Sequence, residues 1–216
     1  MTIPWALVLL ALAATAHADT DWSTGLVTAT GIGIADRHAP SPAAAREPAR
    51  HAAEDAARKK LAAQIPALPL AGGGKVGDKL GDAAIKARVD RAVAAAIVVD
   101  AIPETDGSYR VTMGVPVEAI RQALAGGPRA LGTGDGDAAA AVIVVEGVPA
   151  AAKPAIGWTV ESLAAPTLWV KAVPAWAKDA PRLKAKSASS GTITLSGKVT
   201  GDLRGGDATL FVIVQN

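Results

Sequence analysis

Apolar and polar positions along the chain follow two periods. Val27 to Ile34 (VTATGIGI) alternates in steps of two and is rich in β-branched residues, which predicts a strand. Gly31 and Gly33 weaken that strand or let another backbone come close. Ser41-Pro42 reads as an N-cap followed by proline at the first helical position. From about Ala43 to Gln64, Ala45, Ala49, Ala52, Ala53, Ala56, Ala57 and Leu61 recur at helical spacing. Pro48 conflicts with that helix, because its ring clashes with the Ala44 carbonyl; the helix either kinks there or starts near Pro48. Pro66, Pro69 and Gly72-Gly73-Gly74 end it. A second helix is expected over Lys79–Ala96, with Leu80, Ala84, Ala87, Val93 and Ala94 on or near one face. Ile97 to Ile102 (IVVDAI) and Ser108 to Val115 (SYRVTMGV) then flank Asp106-Gly107, a strong hairpin signal. Pro116 to Leu124 reads as a short helix.

Gly126 to Asp137 is rich in glycine and reads as a linker or long loop. Beyond it the pattern changes. Val142–Val148, Thr167–Val173, Gly191–Val199 and Thr209–Val214 all look extended, with little helix between them. The expected fold class is therefore α+β: a small sheet with two packed helices over residues 19–125, the 126–137 linker, and a β-rich C-terminal portion over 138–216. No repeat of solenoid or propeller length is visible.

The N-terminus carries an address. Residues 5–14 (WALVLLALAA) are apolar, the small-x-small triplet Ala16-His17-Ala18 follows, and Asp19 opens a polar stretch. This is the layout of a secretory signal peptide over residues 1–18, cut after Ala18, although Met1-Thr2-Ile3-Pro4 has no Lys or Arg. The run is too short to span a membrane, which takes ~20 apolar residues. The expected location is periplasmic or extracellular, with no transmembrane span in the mature chain.

Composition narrows the chemistry. Fifty of the 216 residues are alanine, so the core is lean and rests on Val, Leu and Ile. The net charge of +2 gives no electrostatic case for nucleic acid. With no cysteine there is no disulfide, thiolate metal site, cysteine nucleophile or lipid anchor on cysteine.

The tempting motifs each fail a chemical requirement. Gly31-Ile32-Gly33 follows a strand, but Asp36 stands where a dinucleotide fingerprint needs its third glycine, and its carboxylate would repel a pyrophosphate. Gly72-Gly73-Gly74-Lys75 imitates part of a phosphate loop, but Pro69 replaces the first glycine and Val76 the magnesium-binding hydroxyl. Gly134-Asp135-Gly136-Asp137 has too few ligands for calcium. His38 and His51 lack zinc-binding spacing, and no G-x-S-x-G elbow marks a serine. Arg46, Arg50, Arg58, Lys59 and Lys60 are interleaved with Glu47, Glu54 and Asp55, as on a solvated helix face. No catalytic, cofactor-binding or metal residue is assigned, and no cofactor is expected. Trp158 and Trp169 read as core anchors. Trp176, between proline and charge, is the surface tryptophan and the candidate protein contact.

The first half resembles a family of bacterial envelope proteins: the lipoprotein-20 type and the N-terminal domain of flagellar assembly protein T. The features are the strand Val27–Ile34 with its Gly-x-Gly, and the helix with Ala45-Arg46, Ala49-Arg50, Ala52-Ala53-Glu54-Asp55-Ala56 and Leu61. Arg88-Val89-Asp90, Ala96-Ile97-Val98-Val99 and the strand from Gly107 to Val117 follow in the same order. The resemblance covers residues 25–124 and implies helices packed on a small sheet in an exported, non-enzymatic protein of envelope or flagellar-base assembly. The chain departs from the lipid-anchored members in lacking the cysteine that follows their signal segment. The expected function is a structural or adaptor protein that binds other envelope or flagellar-base proteins through an open sheet edge or a patch around Trp176. The alternative is a soluble periplasmic ligand-binding protein with a pocket between the two halves.

Overall fold

The computed structural model describes residues 19–126, 142–196 and 209–215. The expected signal peptide with Ala16 and Ala18, the Gly134–Asp137 run and all of the 126–137 linker except Gly126 lie outside them. Among the described residues, two sheets, of four and seven strands, and three α-helices give a mixed α+β fold.

The first sheet is antiparallel. Its strands β1 (Asp19–Asp21), β2 (Leu26–Gly33), β3 (Ile97–Pro103) and β4 (Tyr109–Pro116) lie in the order β1-β2-β4-β3. Alternation along β2 buries Val27, Ala29, Gly31 and Gly33 against one helix, α1 (Pro42–Gln64). Opposite them on β4, Val111, Met113 and Val115 complete the same face. Helix α1 contributes Ala45, Ala49, Ala53, Ala57 and Leu61, a ridge in steps of four. Because that ridge is methyl-sized, the strand comes very close. A Cβ on Gly31 would lie 2.6 Å from the Ala57 nitrogen, and one on Gly33 would lie 2.7 Å from the Ala49 carbonyl carbon. The close backbone approach expected at these glycines is what the structure contains.

The ends of α1 are as expected, while its inner face and the second helix need correction. Helix α1 starts at Pro42, with Ser41 Oγ accepting the Ala44 N–H at 3.2 Å, and runs through Pro48 without a later start. Ala44 is exposed, so the carbonyl that Pro48 cannot bond belongs to a solvent-facing turn. Ala52 is exposed and Ala56 half-buried, because only the four-residue ridge meets the flat sheet. The second helix, α2 (Ala83–Ala94), is shorter than Lys79–Ala96. Asp82 Oδ1 accepts the Ala84 and Ile85 N–H groups at 2.7 and 3.1 Å, which sets the start. Its inward face is Ile85, Val89 and Val93 rather than Ala84, Ala87 and Ala94, since the branched side chains bury more apolar area.

The hairpin between β3 and β4 turns at Asp106-Gly107 as expected. Gly107 has φ +89° and Asp106 Oδ1 accepts the Ser108 N–H at 2.9 Å. The last helix, α3 (Val117–Ala125), ends on Gly126 at φ +102°. Arg88 Nε donates to the Ala123 carbonyl at 2.7 Å, tying α2 to the end of α3.

The second sheet comprises β5 (Val142–Val148), β6 (Thr159–Val160), β7 (Leu163–Ala164), β8 (Thr167–Val170), β9 (Arg182–Ser189), β10 (Thr192–Leu195) and β11 (Leu210–Gln215). Their order is β7-β6-β10-β9-β5-β11-β8, with β9, β5, β11 and β8 parallel. Residues 143–145 and 211–214 are buried on both faces, which is why they read as continuous apolar runs. Strand β9 is absent from the sequence reading, although Leu183 and Ala185 alternate with Arg182, Lys184 and Lys186. The halves are joined through side chains and backbone. Trp22 packs on both cores, Ile156 of the second half enters the first core, and the Trp169 backbone N–H donates to the Trp22 carbonyl at 2.9 Å.

Gly31→Ala drives a methyl into the α1 backbone and is expected to cost about 3 kcal/mol, read as a lower urea midpoint at unchanged slope. Hydrogen bonds from the Ile85 and Ala84 N–H groups hold the Asp82 carboxyl below its usual range, and the Ser108 backbone N–H does the same for Asp106. A depressed folded-state pKa contributes stability above the ordinary carboxylate value that is lost as pH falls through the lowered one. Acid should therefore lower Tm across and below the normal aspartate range, and Asp82→Asn should flatten that dependence.

Candidate functional site

Among the described residues, a helix covers only one face of the first sheet. Its other face is built, strand by strand, from β2, β4 and β3. Register sets Ile32, Arg110 and Ile102 in one row, and Thr30, Thr112 and Asp100 in the next. Thr28, Gly114 and Ile97 form a third. Val99, the extra residue at a bulge in β3, lies over Gly114, where an added Cβ would be 2.9 Å from its Cγ2. Thr30 Oγ1 and Thr112 Oγ1 are 2.9 Å apart, and Arg110 Nη2 donates to Glu104 Oε1 at 2.7 Å. Six of the seven large apolar side chains exposed among the described residues belong to this sheet or its exit: Ile32, Ile34, Ile97, Val98, Val99 and Ile102. Four of them, Ile32, Ile97, Val99 and Ile102, share this face, while Val98 pairs with Met113 on the α1 side and Ile34 follows the end of β2; four together on one face exceed the scattered apolar exposure of an ordinary surface.

The sheet edge is a poorer docking element than its face. Asp100 Oδ1 accepts the Ala101 N–H at 2.9 Å, and Pro103 has no N–H, so neither offers a free donor to an added strand. The bulge at Val99 breaks the ladder further. Where β2 runs past the short β1, Lys60 Nζ donates to the Thr30 carbonyl at 2.6 Å. These are charged blocks on backbone groups that would otherwise pair with another chain.

The tryptophans divide as the sequence suggests. Trp158 and Trp169 are buried with ring centroids 5.6 Å apart, and Trp158 Nε1 donates to the Lys153 carbonyl at 3.1 Å. Trp176 is 59% exposed on a 3₁₀ turn over Ala175–Ala177. It borders a shallow groove with Trp22, Asp21, Ser23 and Lys171. A separate cleft between the halves, lined by Val117, Arg121, Ile156 and Leu168, has a volume of about 250 Å³. That is below the ~300–1,000 Å³ of typical small-molecule sites, whereas the open Trp176 groove, also lined from both halves, has a volume of about 560 Å³ and falls within that range.

The remaining motifs serve the fold. Gly31 and Gly33 face the α1 backbone rather than a ligand. The Lys75 N–H, which a phosphate loop would aim at its ligand, is bound at 2.8 Å by Asp78 Oδ2. His51 Nε2 lies 3.1 Å from Glu47 Oε1 on an exposed helix face, not in a cleft. Arg50 and Arg58 are paired with Glu54 and Asp55 along α1. Among the described residues no group of His, Asp or Glu is placed to hold a metal ion, and no helix is long and apolar enough to cross a membrane. No protein-family model matches the chain, and no curated protein matches it.

The sequence reading did not single out the uncovered face, because Ile32, Ile97, Val99 and Ile102 are equally good core residues. Its one local signal is Asp100 within an otherwise apolar strand. Trp176→Ala is expected to change unfolding free energy by less than about 0.5 kcal/mol, whereas Trp169→Ala should cost about 3–5 kcal/mol and abolish the near-UV circular dichroism.

Proposed function

We propose that this chain is an exported, non-catalytic protein of the cell envelope that works as a structural or adaptor component by binding protein. The observation that carries the reading is the uncovered, apolar face of the first sheet. Such a patch marks a surface meant to be covered. Protein suits it better than lipid: Thr30, Thr112 and Asp100 cross the patch as a polar row, and a carboxylate has no partner in hydrocarbon. The envelope location rests on the apolar run at residues 5–14 with Ala16 and Ala18, and on the resemblance of residues 25–124 to envelope-assembly proteins. Trp176 is a second, smaller contact candidate. The absence of cysteine leaves protein contacts, rather than a lipid on cysteine, to hold the chain in place.

The test is cross-linked capture of the C-terminally tagged protein from its native envelope, with N-terminal sequencing of the recovered chain. The expected chain begins at Asp19. Cross-linked protein should be recovered with wild type and with Trp176→Ala, and should fall at least tenfold with Ile32→Lys/Ile102→Lys. Recovery unaffected by the double variant would remove the sheet face from the proposal. A chain that keeps residues 1–18 and stays in the cytoplasm would remove the envelope.

A further inference from the structure

The register of the uncovered face makes it self-complementary, and we propose that its partner is a second copy of this chain, packed face to face about a two-fold axis along β4. This rests on the reading of the face as a docking surface and names what docks there.

The argument is geometric. A two-fold along the central strand keeps each row at its own height and exchanges the flanking strands, so β2 of one copy lies over β3 of the other. Ile32 then meets Ile102, Thr28 meets Ile97 and Val99, and Thr30 meets Asp100, all across the interface. Apolar ends cover apolar ends, and the Asp100 carboxylate receives a hydroxyl donor in the middle row. Arg110 meets its own copy near the axis, with its charge balanced by Glu104 at 2.7 Å. The axis perpendicular to the strands is worse: it puts Asp100 against Asp100, and like charges brought together repel. Extension edge to edge is opposed by the same residue, because pairing β3 with itself over its full length also sets Asp100 opposite Asp100. With pairing at the β3 edge disfavoured, stacking of the faces gives a closed arrangement at the ~10 Å spacing and small rotation of aligned sheets.

The size is sufficient. Ile32, Ile97, Val99 and Ile102 are each 41–61% exposed. With the polar side chains between them they present on the order of 600 Å² per copy, near the ~1,200 Å² total at which specific interfaces begin. The predicted dimer is therefore reversible and concentration-dependent.

Two measurements test it. Sedimentation equilibrium of the purified protein should give twice the monomer mass at high concentration, and Ile102→Glu should return it to the monomer with an unchanged circular dichroism spectrum. The natural absence of cysteine permits a positional test that does not depend on that variant folding. Ile32→Cys/Ile102→Cys should form a covalent dimer with a short thiol-to-thiol cross-linker that bridges facing side chains of sheets ~10 Å apart, while either single variant should not. Within one copy the two positions are separated by β4, about 10 Å apart with side chains parallel rather than facing, beyond the reach of the same cross-linker. A monomer at every concentration overturns the inference, as does a dimer that Ile102→Glu leaves intact or single variants that cross-link as well as the pair. If the chain is monomeric yet captures another envelope protein in a manner lost with Ile32→Lys/Ile102→Lys, the docking face stands and only the second copy fails. If neither is seen, both fail.

Discussion

The contact of Gly31 and Gly33 with the alanine ridge of α1 governs the first half of the molecule. Two glycines in a central strand and four alanines in steps of four on a helix bring backbone against backbone. The gain is dense packing from residues that bury little area each. The consequence is geometric. A helix held this close covers only the strands beneath it, so β2 and β4 are buried while β3, farthest from α1, stays exposed along its length.

That exposure sets the two sides of the sheet apart. On the α1 side, apolar residues of β2 and β4 pair across the ladder and disappear into the core. On the other side, threonines, one arginine and one aspartate share the surface with isoleucine and valine. The chain treats face and edge differently. Its open backbone groups are capped by Lys60 and Asp100, while the apolar side chains of the face are left uncapped. Blocking strand addition while leaving a face available favours defined association over aggregation.

The second half is organised by a different constraint. Parallel β5 and β11 are buried on both sides as interior strands of their sheet, and the strand with alternating cations, β9, lies beside β5 with one face in water. Trp22 and Ile156 connect the halves by packing in the neighbouring core. The tryptophans at the centre of this region support the fold, and Trp176 alone of those in the second half turns outward.

Much of this was legible in one dimension, because it depends on local chemistry. Period-two alternation located β2 and β4, the IVVDAI run located β3, Asp106-Gly107 located the hairpin between β3 and β4, Ser41-Pro42 located the start of α1, and continuous Val and Ile runs located β5 and β11. The pair Gly31 and Gly33 announced a close approach, though not to what. Tertiary structure decided the rest. Which residues of α2 turn inward depended on where Asp82 capped the helix, and β9 became a strand through neighbours on both sides. Above all, Ile32, Ile97, Val99 and Ile102 have the character of core residues, and their sequence does not distinguish a covered face from an open one. A strand's alternation specifies two faces, but only the placement of a single helix on one of them determines which face remains to bind something else.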